Sequence, residues 1–303
     1  MPEKVNFFDE IDRNKRNSLI LVAVMIAIYS GLIFVLSYYF ELGLCAPIIG
    51  IGVLFIYTTV VWFAGDSMIL GATGAREIRN NEYPFVRNVV EGLAIASQIP
   101  VPKIYLINDP APNAFATGRD PKHASVAVTT GLLDIMKKEE LEGVLAHEIS
   151  HVANYDIRFS MLAIAFAGAI ALLSEVILRS IFYSGGRSNS NRNERGGRNG
   201  SAGAGIILAL VFAILAPIFA QVVRLALSRE RESLADANGA KLTRYPPGLA
   251  NALEKIKQAS IPTTTATETT APLYFSDPFP QKFLSLFATH PPIEERIKRL
   301  RAM

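Results

Sequence analysis

A mainly helical membrane protein with a small β-sheet is the fold class this sequence predicts, and three observations carry that expectation. Half of the residues are hydrophobic and only 19% are charged, against roughly 25% in soluble proteins. The apolar residues gather in four runs, Asn17–Phe40, Leu42–Gly65, Phe159–Tyr183 and Ala204–Leu227. Outside these runs the pattern is mostly helical, with two short β-type stretches, KIYLIN and SVAVTT.

Each run is long enough for a span of roughly 20 residues, so four transmembrane helices are expected. The first two runs carry no charge, and neither does Ile206–Val223. The first exceeds the roughly 7–15 apolar residues of a signal peptide and has no small-x-small site after it, so it reads as a permanent anchor. Cys45 is the sole cysteine, which excludes an internal disulfide and a Cys-based metal site. The net charge of +3 is mild and spread out, and it does not point to nucleic acid.

Orientation follows from Lys and Arg. Lys4, Arg13, Lys15 and Arg16 precede the first run, and the turn before the second has none. The N-terminus (1–16) and the chain after Gly65 are therefore expected on the cytoplasmic side. The second pair is less regular. Its linker, SGGRSNSNRNERGGRNGS, holds Arg187, Arg192, Arg195 and Arg198 against Glu194. Either this linker crosses despite its charge, or the third and fourth runs form a hairpin that does not fully span; spanning is favoured. Glu175 within the third run is costly in a bilayer, and Arg179 is placed one turn on to pair with it.

Two membrane hairpins, 17–65 and 157–227, thus divide the polar parts into 66–156 and 228–303. In the first part YPFVRNVVEGLAIASQ has helical spacing, and the turn-rich NDPAPNAFATGRDPKH separates the two strands. Leu132–Asn154 reads as helix, broken near Lys137. In the second part PGLANALEKIKQA starts a helix at Pro247 and Gly248, Ser260–Pro272 is a Thr/Pro-rich loop, and a last helix follows Pro291 and Pro292.

The stretch LEGVLAHEISHVANYD, Leu141–Asp156, carries the chemistry. Residues four apart on a helix share a face, so His147 and His151 can offer two imidazole nitrogens to one ion. Glu148 stands beside the first and can reach a water at that ion. H-E-x-x-H is a short pattern, and two hydrogen-bonded surface histidines would explain it equally well. A third ligand shifts the balance. In LALSRERESLADANGA, Glu232 and Asp236 are spaced by one helical turn. Glu232 is chosen over Glu230 because it alone has an acid at i+4; Asp236 can then accept the second N–H of a ligating imidazole. Two imidazoles, one carboxylate and an open position favour zinc, one ion per chain. His151 lies just before the third run and Glu232 just after the fourth, so the half-sites would meet at the membrane surface.

AHEISH, SREREsLADANGAKL, PNAFATGRD and THPPIEERIKRL, in this order among four apolar runs, resemble the HtpX-type membrane zinc metallopeptidases, relatives of the CAAX prenyl proteases. The likeness runs from Asn17 to the C-terminus. It implies a zincin-like (gluzincin) catalytic domain on the cytoplasmic side of the cell membrane. His147, His151 and Glu232 would be the zinc ligands and Glu148 the general base. The family implies endoproteolysis of membrane proteins or unfolded polypeptides, often misfolded ones, and so a part in stress response and membrane-protein quality control. It also implies that Asn113 and Ala114 lie on an edge strand that pairs with extended substrate, and that His290 lies near the zinc, where an imidazole could stabilise an oxyanion. Read without the family, Asn113–Gly118 is a loop or short edge strand and His290 a capping histidine before two prolines. His123 reads as exposed. Two rival readings are a zinc hydrolase acting on a lipid amide and a silent scaffold that keeps its metal for folding.

Overall fold

The first two apolar runs form helices α1, Phe7–Tyr39, and α2, Cys45–Ala72, in a computed structural model that describes residues 7–39, 43, 45–79, 81–166, 168–169, 229–267, 270–279 and 291–303. The third run beyond 169, the whole of the fourth, the Gly185–Ser201 linker, the Glu175–Arg179 pair and His290 lie outside the described residues. Among the described residues two stretches, Ile11–Phe34 and Cys45–Ala72, are long and apolar enough to cross a membrane.

α1 begins before its predicted start and α2 continues past its predicted end, for the same reason: beyond the apolar stretch each packs on the rest of the protein. At its start α1 buries Asn14, and at its end α2 buries Ile69 and Leu70. The α2 terminus closes with Gly74 in the left-handed region (φ 66). Its N–H reaches the Gly71 carbonyl while the Ala75 N–H reaches Leu70, the double closure that favours glycine at this place.

The sheet has four strands: β1 (Arg76–Glu77), β2 (Lys103–Ile107), β3 (Ala114–Gly118) and β4 (Ala124–Thr129), in the order β1-β2-β4-β3. β2 and β4 run parallel, and β3 lies antiparallel to β4 at the sheet's edge. α3 (Pro84–Ala96) connects β1 to β2. Ile104, Leu106, Ala114, Ala116, Val126 and Val128 face one side, within the core formed with α3 and the helices described next. Ile107, Phe115 and Ala127 face the other, against apolar residues of α1 and α2. A strand covered on both faces shows no polar alternation. This is why β4 is buried at every position.

After β4 come α4 (Thr130–Ile135) and α5 (Lys138–Ala153). They are broken at the expected place. The Lys137 N–H donates to the Glu140 carboxylate at 2.7 Å, and this one-sided cap starts a new helix. α6 covers 156–166 and joins the core on the membrane side. α7 (Arg229–Thr243), α8 (Pro246–Ala259) and α9 (Ile293–Arg301) complete the described chain. Where α2 and α6 leave the sheet, cations stack on aromatic rings: Arg119 over Phe63 at 5.0 Å, Arg158 over Trp62 at 5.3 Å and Arg231 over Phe159 at 5.0 Å. Such amphipathic belts suit a membrane–water boundary.

Candidate metal centre beside the membrane helices

α5 is buried on nearly every face because α7, α8 and the sheet surround it, so its polar residues are buried with the rest. His147 is 1% exposed and Glu148 2%. α7 lies close against α5 because Gly239 faces the His147 backbone; a Cβ there would stand 3.1 Å from the His147 nitrogen. That approach brings in the two acids of α7. A Glu232 carboxylate oxygen lies 3.6 Å from His147 Nε2, and the other lies 3.4 Å from His151 Nε2. One ligand atom from each of these three residues falls within a 4.8 Å cluster.

The rings are oriented from behind. Asp236 Oδ1 lies 2.9 Å from His147 Nδ1, and Asp156 Oδ2 lies 2.9 Å from His151 Nδ1. A carboxylate accepts, so each Nδ1 carries a proton, and in the neutral ring Nε2 presents its lone pair. The two Nε2 atoms are 3.1 Å apart. Two lone pairs at that distance repel unless a shared proton or a metal cation lies between them, and a carboxylate completes a set that a metal would take. The donor chemistry fits a zinc ion, with His147, His151 and Glu232 converging on one point and their partners fixing the tautomers.

Electrostatics favour a neutral ring at His147 and a protonated one at His151, whose Nε2 proton a metal would have to replace. Burial pushes His147 down to about 4, so it is neutral and able to donate a lone pair at pH 7. Burial, with the Glu232 charge adding to it, pushes Glu148 up to about 7. For His151, burial favours the neutral ring, but hydrogen bonds to Asp156 and Glu232 outweigh it and raise its pKa. Burial also opposes ionisation of Asp236, yet Arg296 holds it down to about 2.

Arg296, on α9, is buried at 3% exposure. Its Nε and Nη2 donate to the two Asp236 oxygens at 2.9 and 2.7 Å. Its Nη1 donates to the Phe275 carbonyl at 3.1 Å, and its guanidinium stacks on the Phe275 ring at 4.7 Å. The same ring meets His147 edge-on at 4.9 Å.

The sequence reading did not include Asp156 or Arg296. Asp156 follows His151 at no helical spacing. It turns back only because Tyr155 adopts a left-handed conformation (φ 62), which a tyrosine's neighbours do not announce. Arg296 sits in a charged helix, EERIKRLR, where a single buried cation has no pattern of its own.

The other predicted positions are placed as follows. β3 is an edge strand, and the Ala116 backbone on its outer side adjoins the Glu148 carboxylate and opposes the rise of its pKa. The outer side at Ala114 is taken. Its carbonyl accepts the Phe275 N–H at 2.8 Å. The Asn113 amide donates to the Ser276 carbonyl at 3.0 Å and accepts the Ser276 N–H at 3.2 Å. Asn113 and Ala114 are both buried. His123 is exposed and bonded to Asp120.

Comparison with known proteins bears on both halves of this arrangement. The sequence model of peptidase family M48 matches residues 80–303. A protein described as Protease HtpX homolog from Dictyoglomus thermophilum is 46% identical over 297 residues, covering 98% of this chain and 95% of its own. Another of that description, from Streptococcus uberis, is 42% identical over 304 residues, covering 98% and 99%. The crystal structure of S. mikatae Ste24p matches the fold with a TM-score of 0.50 at 18% identity, covering 92% of this chain; the chain spans 62% of that protein's length. A relative alike from end to end and a family match that takes in α5, α7 and α9 together make this chain a member of peptidase family M48, a metallopeptidase of the membrane.

Proposed function

We propose that this protein is a zinc metalloendopeptidase that cleaves unfolded or misfolded membrane proteins at the cytoplasmic face of the plasma membrane, in membrane-protein quality control. In this reading four helices span the bilayer, the second hairpin being formed by 157–183 and 204–227, and both termini are cytoplasmic. His147, His151 and Glu232 hold the metal. When bound, zinc lowers the pKa of a coordinated water to roughly 7 and polarises a carbonyl.

Glu148 is the general base. A pKa of about 7 matches a group that must first accept a proton and then give it away near neutral pH. Its carboxylate takes a proton from the attacking water and passes it to the leaving amine. The Ala116 backbone adjoins that carboxylate on the strand side of the site. Asp236 and Asp156 hold the Nδ1 protons, so both rings stay in the ligating tautomer. A substrate strand lies along β3, with Asn113 and Ala114 as its backbone partners, and must displace Phe275 and Ser276 to do so. His290 stabilises the oxyanion.

The observation that carries the reading is the pair of Nε2 atoms 3.1 Å apart with a carboxylate beside them and a second, buried carboxylate next in sequence. The test uses full-length protein, stripped with chelator in detergent and given zinc, with unfolded casein as substrate. Wild type should cut; Glu148→Gln should bind zinc and not cut, losing at least about 100-fold in rate; Glu232→Ala should lose both. Cutting by Glu148→Gln would end its assignment as base. A zinc-loaded wild type that leaves every polypeptide intact would end the peptidase reading.

A further inference from the structure

We propose that Asn14, on membrane helix α1, is a positioning residue of the metal centre: it fixes Asp156, and Asp156 fixes the ring of His151. The inference rests on His151 being a metal ligand. It extends the site beyond residues 80–303, the span that the family match covers.

The chain of contacts is short. Asn14 is 2% exposed. Its side-chain amide donates two hydrogen bonds of 2.8 Å, one to the Asn154 carbonyl and one to Asp156 Oδ1. The other Asp156 oxygen holds His151 Nδ1 at 2.9 Å. A carboxylate rotates about its own axis with little resistance, and a partner on each oxygen removes that freedom. Arg231 stands 3.8 Å from the same oxygen as Asn14 and adds charge there.

The neighbours of Asn14 hold the same corner. Lys15 lies over the Tyr155 ring at 4.6 Å, and Tyr155 is the left-handed residue that turns Asp156 back. Arg13 approaches Glu230 at 4.0 Å, on the helix that carries Glu232. Consecutive residues of a membrane helix thus touch the ends of both helices that carry the proposed ligands. Groups that hydrogen-bond behind a ligand are worth about 10- to 100-fold in metal affinity.

Zinc affinity of the full-length protein, measured by competition with a chelating indicator in detergent, tests this. Wild type should bind one zinc, and His151→Ala should lose it. Asn14→Ala should then bind zinc about 10-fold more weakly. Asn14→Asp, which sets a second carboxylate against Asp156, should bind it more weakly still. Leu21→Ala is the control, since Leu21 is buried about two turns along α1, in an apolar cluster that includes none of these groups; it should lower the melting temperature while leaving zinc affinity near wild type. Wild-type affinity in Asn14→Ala would overturn the proposal alone, as would an equal loss in Leu21→Ala. A wild type that binds no zinc would overturn the ligand assignment and this inference with it.

Discussion

At the scale of single residues, the centre is a set of charges that tolerate burial only together. Arg296 and Asp236 form a bidentate pair with almost no access to water. Removing one partner of such a pair leaves an uncompensated charge and costs about 3–5 kcal/mol, whereas replacing both by apolar groups is close to neutral. Arg296→Leu should therefore melt well below wild type, and Asp236→Leu with Arg296→Leu should recover part of that loss while still binding zinc poorly. Thermal unfolding of wild type and these two variants decides it; a double variant less stable than Arg296→Leu would sink the argument. The H-E-x-x-H histidines proposed as ligands and the Glu232–Asp236 pair stand out in the sequence because their geometry is local, one helical turn each. Asp156 and Arg296 do not, because a left-handed turn and a contact between distant helices place them.

At the scale of elements, the segment around 263–276 is tied down at two points of the sheet region. Asp109 is one. Its carboxylate accepts N–H and O–H donors from both Thr264 and Thr265 at 2.8–3.0 Å, and the Ala111 N–H at 2.9 Å. Burial works against its ionisation, but these donors outweigh burial and hold its pKa below the usual value. The sign follows. A carboxyl whose folded pKa is depressed adds stability above its unfolded pKa, about 3.9, and loses it as pH falls through the folded value. Asp109→Asn should thus be less stable than wild type at pH 7, by about 2 kcal/mol for hydrogen bonds to a charged group. The difference should shrink in melts taken below about pH 4; a gap that persists there would show that charge is not its cause. Asn113 is the second tie. The sequence marked this region only as Thr/Pro-rich loop, because side chains on β3 and the preceding turn, not its own periodicity, give it a fixed course.

At the scale of the whole molecule, the sheet is the partition between two cores, one built with α3, α5 and α8 and one with the membrane helices. The apolar runs announced the membrane, but not that α2 would continue to cover a strand face and α1 to support an aspartate. A chain starting at residue 80 would bare Ile107, Phe115 and Ala127 and lack Asn14. It should aggregate without detergent and hold substoichiometric zinc, which size exclusion with metal analysis would show; a monodisperse, fully loaded fragment would refute this picture of the fold.

Phe275 has one further consequence. With its N–H on Ala114 and its carbonyl on Arg296, the resting enzyme already wears a stand-in for the strand proposed to bind there. An incoming chain would be judged by competition, and its apparent affinity would fall in proportion to the fraction of time the stand-in stays seated. Only a polypeptide with a long, unpaired and unfolded stretch could win that contest. On the proposed function, a native membrane protein, its backbone already satisfied, would compete poorly for that edge.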